Sequence, residues 1–174
     1  MERLSRADLE RLVREHFAHV RGLLMRLTGS AEDADDLAQE CFLRARTGMT
    51  PSARSHERRW LGRVALNLAR DHARSAGRRR VRDERAGGER PQSDGDSPPV
   101  VLAQAEFAEA VRVAVAELPD RLRLPLVLRT HEGWSYDEIA EELGIRPTTA
   151  RTQVMDARRE LERRLRPHLD SEVR

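Results

Sequence analysis

A chain of 174 residues with 32 basic and 30 acidic side chains and only 3% aromatics is long enough for one ordinary domain or two small ones. No apolar run approaches the roughly twenty residues needed to cross a bilayer, and the charged opening MERLSRADLERLVREHF is no secretory signal, so a cytoplasmic protein without membrane insertion is expected. Cys41 is the single cysteine and no Cys/His cluster has zinc-site spacing, so disulfides, metals and other cofactors are not expected, and Cys41 reads as a small buried residue.

All the basic residues are arginine, which fits a GC-rich genome and also suits phosphate recognition. The net charge of +2 is unevenly spread: residues 1–43 carry 6 arginines against 9 acids, residues 44–90 carry 14 against 5, and residues 91–174 carry 12 against 16. The basic middle is the electrostatic footprint of a nucleic-acid partner.

In chain order, Leu9, Leu12, Val13, Phe17, Val20, Leu24 and Leu27 keep a helical period that ends at Thr28-Gly29-Ser30. A second helix runs from about Ala31 to Thr47, capped by Ser30, with early acids that suit its dipole and Leu37, Cys41 and Ala45 along one face. A third begins near Trp60, where Trp60, Val64, Asn67 and Asp71 share one line and Leu61, Ala65 and Leu68 lie beside it, and it reaches about Arg78. From Gly77 to about Val101, glycine, proline, serine and charge replace apolar periodicity, which predicts a flexible linker. Helical period returns in Phe107, Ala110, Val111, Ala114, Val115 and Leu118, and after Pro119 a run from Leu122 to Leu128 predicts a helix with Pro125 in its first turn.

The last segment, SYDEIAEELGIRPTTARTQVMDARREL, spells a helix-turn-helix. Ser135 and Glu138 have the spacing of a capping box, Gly144 ends the first helix, and Pro147 opens the second. Ala150, Val154, Ala157 and Leu161 form the inner face of that second helix. Thr148, Thr149, Arg151, Thr152, Met155, Arg158 and Arg159 are left on other faces, with hydroxyls and guanidiniums near the end that enters a major groove in this motif. The expected fold is all-α: two small helical domains at 1–77 and 103–170, joined by a linker at 78–102.

Three blocks in order, DADDLAQECFLRA, WLGRVALNLARDHAR and ELPDRLRLPLVLRTHEGWSYDEIAEELGI, resemble the extracytoplasmic-function (ECF, group IV) subfamily of bacterial sigma-70-type RNA polymerase sigma factors. The resemblance makes the first domain sigma region 2 and the last region 4, and implies promoter recognition and transcription initiation for a stress or developmental regulon. It implies that Asp36, Gln39 and Glu40, with Asp33 nearby, bind the clamp helices of the largest subunit of core RNA polymerase. These positions share a helix face; on the block alone, a solvated acidic turn stabilised by its own dipole is the favoured reading, and the neighbouring blocks reverse it. It further implies that the Trp60–Arg74 block opens promoter DNA and holds the single-stranded minus-ten element. Arg59, Arg63, Arg70 and Arg74 would meet phosphates, Asn67 and Asp71 base edges, and Trp60 would either stack on a base or fill core.

In the same way Arg146, Thr148, Thr149, Arg151, Thr152, Gln153, Met155, Arg158 and Arg159 would contact the duplex minus-thirty-five element. The chain departs from the family pattern at Arg146, where a serine-like cap is usual, and at Gln153 and Asp156, where basic residues are usual. An anti-sigma factor is a further candidate partner. The competing reading is a helix-turn-helix regulator that does not engage core polymerase, but it needs neither of the first two blocks. Enzymatic chemistry is not expected: there is no glycine-rich phosphate loop or nucleophile–base arrangement, and His16, His19, His56, His72, His131 and His168 are scattered.

Overall fold

The computed structural model describes residues 4–83 and 99–171. Within these, α1 (Arg6–Thr28), α2 (Ala31–Gly48), a 3-10 turn (Pro51–His56) and α3 (Glu57–Asp83) form an N-terminal unit. A C-terminal unit comprises α4 (Pro99–Ala116), α5 (Asp120–Val127), a π turn (Leu128–Glu132), α6 (Tyr136–Leu143) and α7 (Pro147–Ser171). No described helix is long and apolar enough to cross a membrane.

Side-chain caps start the first two helices. Ser5 Oγ accepts from the Asp8 amide at 3.1 Å and Ser30 Oγ from the Asp33 amide at 3.2 Å, leaving Glu32 and Asp33 at the positive end of α2. The inner face of α2 is mostly small: Ala34, Ala38, Cys41, Phe42 and Ala45 are buried against Leu12, Val20, Leu23, Leu24 and Leu27 of α1 and Leu61, Ala65, Leu66, Leu68 and Ala69 of α3. Cys41 is the packing residue expected. Its Sγ donates to the Leu61 carbonyl at 3.7 Å, and burial pushes the thiol up to about 12.

The start of α3 is tied to α1 by Glu57, whose Oε1 and Oε2 accept from Arg11 Nη2 at 2.6 Å and Nη1 at 3.1 Å. Arg11, with a smaller contribution from His16, holds the Glu57 carboxyl below the usual range. A depressed folded-state value stabilises the protein above the ordinary glutamate pKa, and that stability is lost as pH falls through the depressed value. Glu57→Gln is therefore expected to cost about 1 kcal/mol at neutral pH, modest because Arg11 is partly exposed, and progressively less as pH falls below the ordinary glutamate range. Urea unfolding across that pH range checks this; a gap that does not shrink in acid contradicts it.

The two units share apolar core. Leu118, Leu122, Leu126, Val154 and Ala157 pack as the C-terminal unit's own cluster, whereas Val127, Leu128, Trp134, Ile139, Ala140 and Ala150 join the cluster built on α1, α2 and α3.

Two boundaries differ from the sequence expectation. The third helix extends to Asp83 and α4 begins at Pro99, so both ends of the expected linker are helical, while residues 84–98 lie outside the described part. Pro125 sits in the second turn of α5, not the first, because the helix already starts at Asp120. The missing proline N–H would have bonded to Arg121, near the helix start, and buried contacts of the Pro125 ring offset that loss.

Candidate functional site

The face of α2 opposite its buried stripe carries Asp36, Gln39 and Leu43, at helical angles within about 60° of one another. Leu43 is 57% exposed. Three neighbouring acids are engaged, while exposed Glu32, one turn before Asp36, is not among them. Asp33 lies 3.2 Å from His72 Nε2, Asp35 accepts from Arg21 at 2.5 Å, and Glu40 accepts from Arg44 at 2.9 Å. Asp36 and Gln39 are exposed, and no ion pair or side-chain hydrogen bond involves them among the described residues. Of the four expected polymerase contacts, two are thus free and two are tied to side chains of this chain. Sequence reading missed Leu43, although its place off the Leu37, Cys41 and Ala45 line was a usable signal.

Along α3 the expected minus-ten residues divide between two directions. Asn67, Asp71 and Arg74 are exposed, with Asp71 and Arg74 loosely paired at 3.7 Å. Trp60 is half-buried against the core, near Gly48 at the end of α2. Arg59 and Arg63 turn the other way, toward α6. Arg59 pairs with Glu138 and stands 5.5 Å from the centre of the Trp134 ring, and Arg63 Nε lies 2.7 Å from Glu142 Oε2. Arg70 and Arg74 border a cleft shared with Leu143, Ile145 and Gln153.

The helix-turn-helix is built as its sequence indicates. The Ser135 hydroxyl accepts from the Glu138 amide at 3.2 Å, and Glu138 Oε2 accepts from the Ser135 amide at 2.7 Å. These contacts, with Arg59, hold the Glu138 carboxyl below the usual range. Gly144 closes α6 at φ 66°, a left-handed conformation that costs glycine no Cβ clash.

On α7, Thr148, Thr152, Met155 and Arg159 form the outward stripe, with Met155 46% exposed. Arg146 and Thr149 are exposed beside it. Arg151 is also exposed, while Arg158 leans over a groove against α1 and α4. Gln153 is half-buried and faces the α3 cleft, so it is set apart from the outward stripe. Asp156 is half-buried, 3.8 Å from Arg159, which partly neutralises it.

Further polar contacts join the units. Arg58 Nη2 donates to the His131 carbonyl at 3.2 Å, and Arg112 Nη1 donates to the Gly29 carbonyl at 2.6 Å. The rings of His19 and His131 stack with centroids 4.8 Å apart. The Arg59 and Arg63 pairs set α6 against the first half of α3, while the His131 contacts set the π turn against α1 and the start of α3.

Comparison with known proteins agrees with this architecture. The Sigma-70 region 2 family matches residues 12–79, and the Sigma-70, region 4 family matches residues 108–161. The RNA polymerase sigma-H factor of Pseudomonas aeruginosa is 32% identical, over 97% of this chain and 93% of its own. The RNA polymerase sigma factor YlaC of Bacillus subtilis is 30% identical over 92% and 93%, and the ECF RNA polymerase sigma-E factor of Haemophilus influenzae 29% over 96% and 94%. Among solved structures, the sigma factor RpoE of Bartonella quintana, crystallised with the anti-sigma factor NepR, shares the fold at a TM-score of 0.64 and 21% identity, over 91% of this chain and 97% of that one. A helical, two-region protein of the transcription machinery is the class so defined. The chain belongs to the extracytoplasmic-function subfamily of the sigma-70 family of RNA polymerase sigma factors. Its function is that of the family, the direction of RNA polymerase to promoters for the start of transcription, and sigma factors are not themselves enzymes.

Proposed function

We propose that this sigma factor meets its partners through three separate faces on region 2 (1–77) and region 4 (103–170), with residues 78–102 as the tether. Asp36, Gln39 and Leu43 of α2, with Asp33 and Glu40 at the margin, dock on the clamp helices of the largest polymerase subunit. Asn67, Asp71 and Arg74 of α3, with Trp60 as a stacking edge and Arg59, Arg63 and Arg70 on phosphates, hold the unwound minus-ten strand. The outward stripe of α7 enters the major groove of the minus-thirty-five element: Thr148, Thr152, Met155 and Arg159, flanked by Arg146, Thr149 and Arg151. Gln153 and Arg158 sit at its edges.

The observation that carries the first face is the contrast within α2. A solvated acidic turn needs no exposed leucine, yet Leu43 stands one turn beyond Gln39 on the same face as unpaired Asp36 and Gln39, while Asp33, Asp35 and Glu40 are paired internally. An exposed apolar side chain bordered by free polar ones is the anatomy of a protein interface. Asp36→Arg with Gln39→Arg is expected to weaken core polymerase binding at least about tenfold while helicity and duplex DNA binding by region 4 persist. A pull-down or fluorescence titration with purified core enzyme measures this; unchanged affinity removes the clamp-helix assignment.

Arg59 and Arg63 cannot bind phosphate while Glu138 and Glu142 hold them. Promoter capture in this reading therefore requires α6 to leave α3, and the free factor rests in a closed form. The anti-sigma factor bound to the Bartonella quintana relative supports a similar partner here. This sigma factor itself would act in the cytoplasm, reaching the nucleoid once bound to polymerase.

A further inference from the structure

We propose that the stacked rings of His19 and His131, above buried Glu132, are an acid-sensitive latch that holds region 4 on α1 at neutral pH and releases it in mild acid. The latch goes beyond the sigma-factor assignment and does not depend on it. Only its consequence, the freeing of Arg59 and Arg63 for DNA, rests on the closed form proposed for the free factor.

The stack stands at the contact between the units, with His19 on α1 and His131 on the π turn 112 positions later. The ring planes are within 5° of parallel and the centroids 4.8 Å apart, so two positive rings here would face each other directly. One carboxylate serves both. Glu132 is 1% exposed, with Oε1 2.8 Å from His19 Nε2 and 3.8 Å from His131 Nε2. It can balance one imidazolium, not two. His131 Nε2 also donates to the His19 carbonyl at 3.3 Å, and because a carbonyl only accepts, that nitrogen already carries its hydrogen. A further proton has to enter at Nδ1 and make the ring a cation.

The surroundings oppose that cation. Arg26 of α1 donates to the Gly22 carbonyl at 2.8 Å beside the ring, and Arg58 of α3 donates to the carbonyl of His131 itself at 3.2 Å. Burial pulls His131 below the ordinary value of 6.5, and Arg26 and His19 add to this against the His19 carbonyl and Glu132. Once the units part, the ring meets water and takes its proton freely. The closed form therefore binds fewer protons at His131: it is fully favoured above the ordinary histidine value and loses ground as pH falls through it. Protonation confined to the open form multiplies the open-to-closed ratio by about tenfold between pH 6.5 and about pH 5. Of the other groups, Glu57 and Glu138 border the cleft beside Glu132 but are held below the usual carboxylate range, so they stay charged in this window. Arg58 and Arg59 keep their charge throughout, and His56 enters the same cleft from the 3-10 turn.

The test traps the open form in the full chain. Ala140, 4% exposed in the apolar core that the units share, is changed to cysteine in a Cys41→Ala chain, so the reporter thiol reacts when region 4 lifts. A dipyridyl disulfide, which reacts in acid, measures the trapping rate, divided by the rate of glutathione at the same pH. That ratio is expected to rise about tenfold from about pH 6.5 to about pH 5. Adding His131→Gln, which keeps an N–H for the His19 carbonyl but takes no proton, should hold the change under about twofold. His56→Gln and His72→Gln should leave the rise intact. An equal rise with and without His131→Gln, or no rise in either, overturns the proposal. Should the reporter chain fail to fold, the ring-proton titration of His131 in the wild-type chain decides: a midpoint below the ordinary histidine value supports the latch, and one at or above it overturns the latch. None of these readouts involves polymerase or DNA, so failure here is distinguishable from failure of the promoter assignment.

Discussion

Gly62→Leu is expected to part region 4 from region 2 and to tighten binding of single-stranded minus-ten DNA. Gly62 is buried on the side of α3 that faces the π turn. A Cβ there would stand 3.0 Å from Glu132 Oε2 and 3.7 Å from the Trp134 ring, so a larger side chain has to displace these neighbours. Within α3 itself the change is favourable, since leucine gains almost 1 kcal/mol over glycine in a helix interior. The penalty falls on the contact between units, where overpacking costs about 1–3 kcal/mol. A closed form that competes with DNA lowers apparent affinity by the fraction of molecules that are open. Removing that competition should improve single-strand affinity about tenfold, and the radius of gyration from small-angle scattering should rise. An unchanged radius together with unchanged affinity would show that the contacts between α3 and region 4 do not control access to Arg59 and Arg63.

The triple change Asn67→Ala, Asp71→Ala and Arg74→Ala is expected to abolish most promoter melting while sparing polymerase association. All three side chains are exposed on the far side of α3 from the region 2 core, so truncation leaves no cavity. Each base-edge contact discriminates by about 1–3 kcal/mol, so the loss of two should exceed tenfold. Arg74 should act through charge, and its loss should reduce the salt slope of binding by about one. Permanganate footprinting on a supercoiled template reads the melting, and a pull-down reads the association. Normal melting in the triple variant would contradict the assignment of this face.

Local signals in the sequence led to correct local structure. Ser135 with Glu138, Gly144 and Pro147 write the helix-turn-helix, and each does in the fold what its chemistry suggests. Helix ends were less legible where charge replaces apolar periodicity. The stretch GRRRVRD after Ala76 gives no apolar stripe, yet α3 continues through it to Asp83, since arginine is itself a good helix former. The contacts between units were not legible at all. Arg59 and Glu138 stand 79 positions apart, and each reads alone as an ordinary solvated charge or a cap. His19 and His131 are likewise unremarkable until the fold stacks them. Glu132 looks like one more surface acid, and only the shared apolar core around Trp134 buries it. The candidate polymerase face was half legible: residue types marked the acids of α2, but only the structure separates free Asp36 and Gln39 from paired Asp33, Asp35 and Glu40.

Whether this chain carries polymerase to promoters and opens them is read out by run-off transcription with purified core enzyme and promoter fragments from the chain's own genome. Discrete transcripts are expected that require the wild-type chain, fall sharply with Asp36→Arg plus Gln39→Arg, and fall equally with the Asn67, Asp71 and Arg74 triple change. Transcripts that persist undiminished with both variants would contradict the assigned faces, and no transcript from any fragment with a folded, core-bound wild-type chain would contradict the promoter-opening role itself.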